Sequence, residues 1–195
     1  MLLSLRYNLA RLAVFSGRES VGRFWPYAGI VILLLFVGMG AVMLPVIADS
    51  LTRMQQFAAA HPDQATVTTG PGTYSVQIQG SHPELLPDMG GFAARVGIVT
   101  VVAVLLLAAA VARRLHDRGR SGLWGLLPLP FLAFGLLGMN RLFASFGPGA
   151  IPDFRLFGAL FLNNLVYLGS LLLLVIQLAS SGMQEPNRYG DITDA

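Results

Sequence analysis

At 195 residues, with 54% hydrophobic and 12% charged positions and a mean hydropathy of +0.64, the chain has too little polar surface to coat a water-soluble globule. Its formal net charge of +3 is built on arginine alone, because no lysine is present, and arginine stays charged at any working pH and grips phosphate or carboxylate with a planar fork. The absence of cysteine excludes disulfides, thiolate metal sites and a cysteine nucleophile.

In chain order, Leu2, Leu5, Leu9 and Leu12 recur at helical spacing with Ser4, Asn8 and Arg11 turned away, which predicts an amphipathic helix lying along the inner leaflet. Arg6 and Arg11 interrupt the apolar stretch, so a cleavable signal is not expected. A hydrocarbon core of about 30 Å needs about 20 apolar residues in a helix. Four stretches meet this, at 24–48, 92–112, 123–140 and 156–180, inside a single membrane domain spanning 1–190 with a short tail at 191–195. Leu51, Met54, Phe57 and Ala58 can carry the first helix past the membrane. Pro128 and Pro130 lie in the third stretch, which is expected to be kinked or re-entrant.

The connection 49–90 reads as an extracytoplasmic insertion. Thr66 to Thr69 and Thr73 to Gln79 alternate around Gly70-Pro71-Gly72, the pattern of a β-hairpin, which must pack on helix ends or on a second copy because a lone hairpin is marginal in water. His61, Asp63 and His82 in this insertion lack the further His or spaced carboxylate of a metal site, and no pattern in the chain calls for a metal or a cofactor.

Basic residues accumulate in cytoplasmic loops. Arg6, Arg11, Arg18 and Arg23 precede the first span, Arg113, Arg114, Arg118 and Arg120 join the second to the third, and Arg188 follows the fourth; only Arg53, Arg95, Arg141 and Arg155 fall on the opposite side. The expected architecture is therefore an all-α four-helix transmembrane bundle with both termini cytoplasmic, Trp25 and Trp124 serving as interfacial anchors beside Tyr27. Helix contacts are expected at small residues: Gly38, Gly40, Ala108 with Ala112, Gly135, Gly138, and Gly158 with Gly169. Ser16-Gly17-Arg18 through Trp25 also has a weak echo in Arg118-Gly119-Arg120-Ser121 through Trp124; parallel duplication of a two-helix unit would produce it, and positive-inside charge with an interfacial Trp at each entry is the favoured explanation.

The candidate site is the arginine-rich inner face: Arg18, Arg113, Arg114, His116, Asp117, Arg118, Arg120, Ser121, Asn187, Arg188 and Tyr189. Arg113 and Arg114 end the second span, where helix carbonyls favour a cation. Adjacent His116 and Asp117 cannot face each other on one helix, so Asp117 is expected to pair with Arg18 or Arg23 and His116 with a carbonyl or Glu185. Ser121 is a candidate N-cap for the third span. Two roles fit these residues. They can lock the helix ends as a polar cap, or leave uncompensated charge for anionic lipid headgroups or an acidic partner segment. A second copy or another membrane protein are the protein partners left open, and nucleic acid is not expected.

The favoured reading is a non-enzymatic membrane protein. The alternatives are a component of a transporter or channel, which the lack of ionisable groups within the spans disfavours, and an enzyme using His116 as base beside Asp117 or Ser121, which has no nucleophile motif.

Phe15-Ser16-Gly17-Arg18 with Phe24-Trp25, then Arg113-Arg114-Leu115-His116-Asp117 with Gly119-Arg120-Ser121-Gly122 and Trp124, then Asn187-Arg188-Tyr189-Gly190 resemble the bacterial inner-membrane family called domain of unknown function 805. The resemblance runs from Phe15 to Gly190 outside the 49–90 connection, which is long for that family, and it departs at Val21 and Arg23, where the family often carries Arg and an acid. It implies a small four-helix inner-membrane protein and no established activity.

Overall fold

The computed structural model describes residues 2–80, 82–144 and 153–191; of the tail placed at 191–195, residues 192–195 lie outside the described residues. Among the described residues five α-helices carry the fold: α1 (Leu2–Leu9), α2 (Val21–Ala60), α3 (Met89–Asp117), α4 (Leu129–Ala144) and α5 (Phe154–Ala179), with a hairpin of β1 (Ala65–Gly70) and β2 (Thr73–Ile78) between α2 and α3. Among the described residues, four stretches are long and apolar enough to cross a membrane: α2, α3, a segment from Gly122 to Phe143 that takes in most of α4, and α5.

The spans are longer than their charge-free runs suggest. At 1.5 Å per residue the 40 residues of α2 reach about 60 Å, twice a hydrocarbon core, because Leu51, Met54, Phe57 and Ala58 continue the helix. Helix α3 begins at Met89 and runs to Asp117, beyond both ends of the apolar span 92–112, since Asp88 caps its start through the Gly91 amide and its last-turn side chains are held by other segments. The third span opens with a 3₁₀ turn, Gly122–Leu126, before α4 starts at Leu129; the prolines 128 and 130 sit at that junction, where missing amide donors cost least. Pro26 and Pro45 are both inside α2.

Helix α1 is shorter than its leucine spacing implies, ending at Leu9 with Leu12 beyond it. Its polar side chains Ser4 and Asn8 are the buried ones, whereas Leu2, Leu3 and Leu9 are exposed. Ser4 and Asn8 thus point into the protein, Leu5 packs on the core, and Leu2, Leu3 and Leu9 are left on the outer side.

Helix α2 packs on α3, α4 on α5, and α3 also contacts α4 and the 3₁₀ turn. The core lies at one end of the bundle, where Phe24, Tyr27, Ala28 and Val31 of α2 meet Ala103, Ala110 and Leu115 of α3 and Leu174 and Leu178 of α5. Tyr27 donates its hydroxyl proton to the Leu106 carbonyl at 2.7 Å, so this buried phenol is satisfied. Elsewhere the spans show large apolar side chains outward, among them Phe36, Leu105, Leu137, Leu162 and Leu172, the surface a bilayer covers. The hairpin pairs Ala65 with Ile78 through Gly70 with Thr73, turns on Pro71-Gly72, and leans on α2. Phe57 stacks on His61 at 4.4 Å and meets the His82 ring at 4.3 Å, so both insertion histidines are used as aromatic packing around one ring.

Small residues mediate some of the expected contacts. A Cβ on Gly138 would stand 2.6 Å from Leu160 Cδ2 and one on Gly38 2.9 Å from Val99 Cγ1, while Gly40, Gly158 and Gly169 have open space. Asn163 of α5 donates to the Phe131 carbonyl of α4 at 2.9 Å, tying the same pair of helices. Gly138→Val should therefore overpack the α4–α5 contact and lower stability by about 1–3 kcal/mol, whereas Gly169→Ala should be neutral or slightly stabilising, as read by thermal unfolding in detergent.

Candidate functional site

The end of the bundle beside the core is closed by polar side chains from segments distant in sequence. The C-terminal turns of α3 supply Arg113, Arg114 and Asp117; the approach to α2 supplies Arg18 and Glu19; α1 supplies Asn8; and the carbonyls ending α5 and lining the following segment supply acceptors. Arg18, Glu19, Arg113, Arg114 and Asp117 are all less than 10% exposed, and Glu19 and Arg114 are completely buried.

Asp117 is the bridge. Its Oδ1 accepts from Arg18 Nε at 3.0 Å and its Oδ2 from Arg114 Nη1. Arg18 was one of the two partners expected for it; Arg23, the other, lies elsewhere, with its guanidinium over the Tyr7 ring. A second bridge runs through Glu19. Arg113 donates Nε to Glu19 Oε2 at 2.9 Å, Asn8 donates to Glu19 Oε1 at 2.7 Å, and Arg113 Nη2 reaches Asn8 Oδ1. The Glu19 amide donates to the Arg113 carbonyl at 3.1 Å, so side chains and backbone register the same two segments.

Three guanidiniums face two carboxylates, and backbone carbonyls take up the difference. Arg18 Nη1 donates to Glu185 O at 2.9 Å and its Nη2 to Met183 O; Arg113 Nη1 donates to Arg11 O and Val14 O. Arg114 Nε donates to Leu178 O at 2.9 Å and its Nη2 to Ser180 O, while Arg118 Nη1 reaches Gln177 O at 3.0 Å. Arg114 and Arg118 therefore cap the C-terminus of α5, whose last carbonyls lack helical donors and carry partial negative charge. This differs from the expectation that Arg113 and Arg114 serve the end of their own helix: the guanidiniums extend away from α3 because neighbouring segments bring acceptors within reach.

The chain after α5 folds back over this cluster. The Met183 amide donates to Asp117 O at 2.9 Å, Asn187 Nδ2 to His116 O at 3.0 Å, and Asn187 and Gly190 close a tight turn. The Tyr189 ring stacks on His116 at 3.8 Å with the planes 5° apart, and His116 Nδ1 lies 3.1 Å from Gly17 O, the carbonyl option among its expected partners. Two glycines permit this fold-back. A Cβ on Gly182 would stand 2.0 Å from Asp117 Oδ2, and Gly119 turns the chain after α3 with φ +68° beneath Met183. Ser121 caps the 3₁₀ turn through the Leu123 amide at 3.3 Å.

The predicted residues separate into two groups. Every guanidinium nitrogen of Arg18, Arg113 and Arg114 is engaged by an acceptor of the chain itself, so an anion there would have to displace one. Arg120 and Arg188 are exposed, packed over Trp124 at 5.9 Å and Tyr189 at 4.8 Å respectively. Of the two Trp anchors, Trp124 is exposed and Trp25 is half-buried against the core, edge-on to Phe24. Glu19 is legible in the sequence as an acid near these arginines, but Asn8 is not among the candidates for the cap. Asn8 on a leucine-rich helix was the available signal, since an amide facing away from lipid needs polar company.

The profile of the family described as "protein of unknown function (DUF805)" matches residues 12–191. No curated protein and no solved structure matches the chain.

Asp117→Asn removes the charge that both Arg18 and Arg114 face in a dry site, and losing one partner of a buried pair costs about 3–5 kcal/mol. Arg188→Gln, at an exposed residue with no carboxylate bridge among the described residues, should stay within about 0.5 kcal/mol. Unfolding of both variants in mixed micelles compares the two directly.

Proposed function

The chain belongs to that family, and from its geometry we propose that it is a non-enzymatic protein of the bacterial inner membrane whose capped end faces the cytoplasm and holds anionic lipid headgroups. The observation that carries this reading is a division of labour among the arginines. Arg18, Arg113 and Arg114, with Arg118 at the end of α5, are spent on locking helix ends, whereas Arg6, Arg11, Arg23, Arg120 and Arg188 at the same end make no ion pair with a carboxylate among the described residues. Positive charge that the protein does not neutralise is attracted to an anionic leaflet by about 1 kcal/mol per residue. An acidic segment of a partner protein would engage the same surface, but the exposed leucines of α1 beside it favour an amphiphile.

The non-enzymatic part of the proposal draws on how the best acid–base candidates are used. Asp117 orients two guanidiniums, His116 is covered by Tyr189, and the Ser121 hydroxyl accepts from a backbone amide, so none is aimed at another as a base and nucleophile must be.

On this orientation, a thiol introduced by Glu185→Cys should react with a membrane-impermeant maleimide only after the inner membrane is opened, and one introduced by Thr68→Cys should react in intact spheroplasts. The natural lack of cysteine leaves no background. The reverse pattern would place the arginines on the wrong side and remove the proposed role. Protein extracted with its own lipids should retain anionic phospholipid through a high-salt wash, as counted by native mass spectrometry.

A further inference from the structure

A cavity of about 700 Å³ opens between α1 and the first turn of α2, apart from the locked cluster, with Arg6, Arg11 and Arg23 on its walls. The Tyr7 ring stands among these charges: the Arg11 and Arg23 guanidiniums lie 4.3 and 4.6 Å from its centroid, and buried Arg113 lies 5.8 Å away. Cation–π contact holds the two forks around one ring, and Arg11 Nη1 also donates to the Tyr7 hydroxyl, which leaves its other N–H groups for a ligand. No carboxylate bridges Arg6, Arg11 or Arg23 among the described residues, so like charges are gathered here without a counter-ion. Ser20, which precedes α2, makes no side-chain bond to the first helix amides, so the helix start adds partial positive charge to the same space. The other wall is apolar, formed by Leu3 and Ala10, with Leu3 84% exposed on the outer side of α1.

We propose that this cavity is a discrete binding site for a phosphate group, gripped by Arg11 and Arg23 on their Tyr7 platform and by Arg6 on the cavity wall, and that the phosphate is the headgroup of an anionic phospholipid whose chains run along the exposed leucines of α1. The guanidinium fork matches phosphate geometry in two places, and a cationic mouth beside an exposed apolar wall fits an amphiphile better than a free ion. The proposal rests on the reading that this end of the protein meets anionic lipid, and it adds a location: Arg11 and Arg23 select the headgroup, while Arg120 and Arg188 supply only general attraction.

The test uses the full chain, delipidated in a non-ionic detergent and titrated with dihexanoyl phosphatidylglycerol, dihexanoyl phosphatidylcholine or inorganic phosphate, with affinity read from the ligand-dependent rise in melting temperature. Arg11→Gln combined with Arg23→Gln should weaken phosphatidylglycerol binding about 25-fold, roughly fivefold per charge, and Arg120→Gln combined with Arg188→Gln less than about threefold. Equal losses in the two double variants would overturn the discrete site and leave the broader lipid reading standing. No phosphatidylglycerol binding by the unaltered protein would overturn both. Equal affinity for phosphatidylcholine would overturn anion selection, and inorganic phosphate binding as tightly as phosphatidylglycerol would keep the site but overturn the lipid as its source. If the double variant unfolds before ligand is added, Arg6→Gln carries the test: a loss of roughly fivefold is expected, and unchanged affinity would overturn the site.

Discussion

The carboxylate of Asp117 is the point on which the capped end depends. Arg18 arrives from ahead of α2 and Arg114 from one turn back on α3, each claims one of its oxygens, and Gly182 lies so close that any side chain there would meet them. A guanidinium costs several kcal/mol to bury without a counter-charge, so neither arginine could remain in this dry place if Asp117 were elsewhere. Their other nitrogens then fix the rest: Arg114 holds the end of α5, and Arg18 holds the carbonyls of the returning tail. One short acidic side chain thereby sets the mutual position of α3, α5 and both flanking segments.

The packing follows from this arrangement. Between apolar helices in lipid the hydrophobic effect supplies no drive, so the bundle needs close contacts or polar links to choose a register. Its buried core lies directly beneath the cap, from Phe24 to Val31 on α2 and at Leu174 and Leu178 on α5, and its opposite end carries a two-stranded hairpin and a solvent-exposed extension of α2. The polar network and the apolar core therefore act on the same few helical turns. Contacts such as Gly138 against Leu160 keep the second helix pair together below them.

Much of this was legible in the sequence because the strongest signals are periodic or compositional. The four spans follow from apolar runs, the hairpin from alternation around Gly70-Pro71-Gly72, and the pairing of Asp117 with Arg18 from two motifs that needed partners. Helix ends were less legible. The continuation of α2 past residue 48 is readable from the stripe of Leu51, Met54, Phe57 and Ala58, whereas the last turn of α3, to Asp117, is held by buried partners of Arg113, Arg114 and Asp117 that no local pattern reveals. The orientation of α1 was readable as a polar and an apolar face. That the polar face packs against Glu19 and Arg113 required the third dimension. The same limit applies to the arginines: sequence treats them as one cationic patch, and only the geometry divides them into engaged and open sets.

That division explains why arginine suits both sets. In the cap a lysine ammonium could satisfy Asp117 or a helix end, but its point charge could not face Glu19, Asn8, Arg11 O and Val14 O along separate directions as the Arg113 fork does. Around Tyr7 the flat guanidiniums of Arg11 and Arg23 can lie against a ring and still present N–H groups to an incoming anion, whereas an ammonium is more strongly hydrated and gives up more on leaving water. The two regions touch through Arg113, which bonds Glu19 on one side and lies within 5.8 Å of the Tyr7 ring on the other. Glu19 balances the Arg113 charge inside the lock, so the unbalanced charge of the cavity comes from Arg6, Arg11 and Arg23, and an anion there would relieve the repulsion among them. A ligand held only by the folded cavity would stabilise the fold by the same interaction that holds it, and Arg113 is the side chain through which the cavity meets the lock.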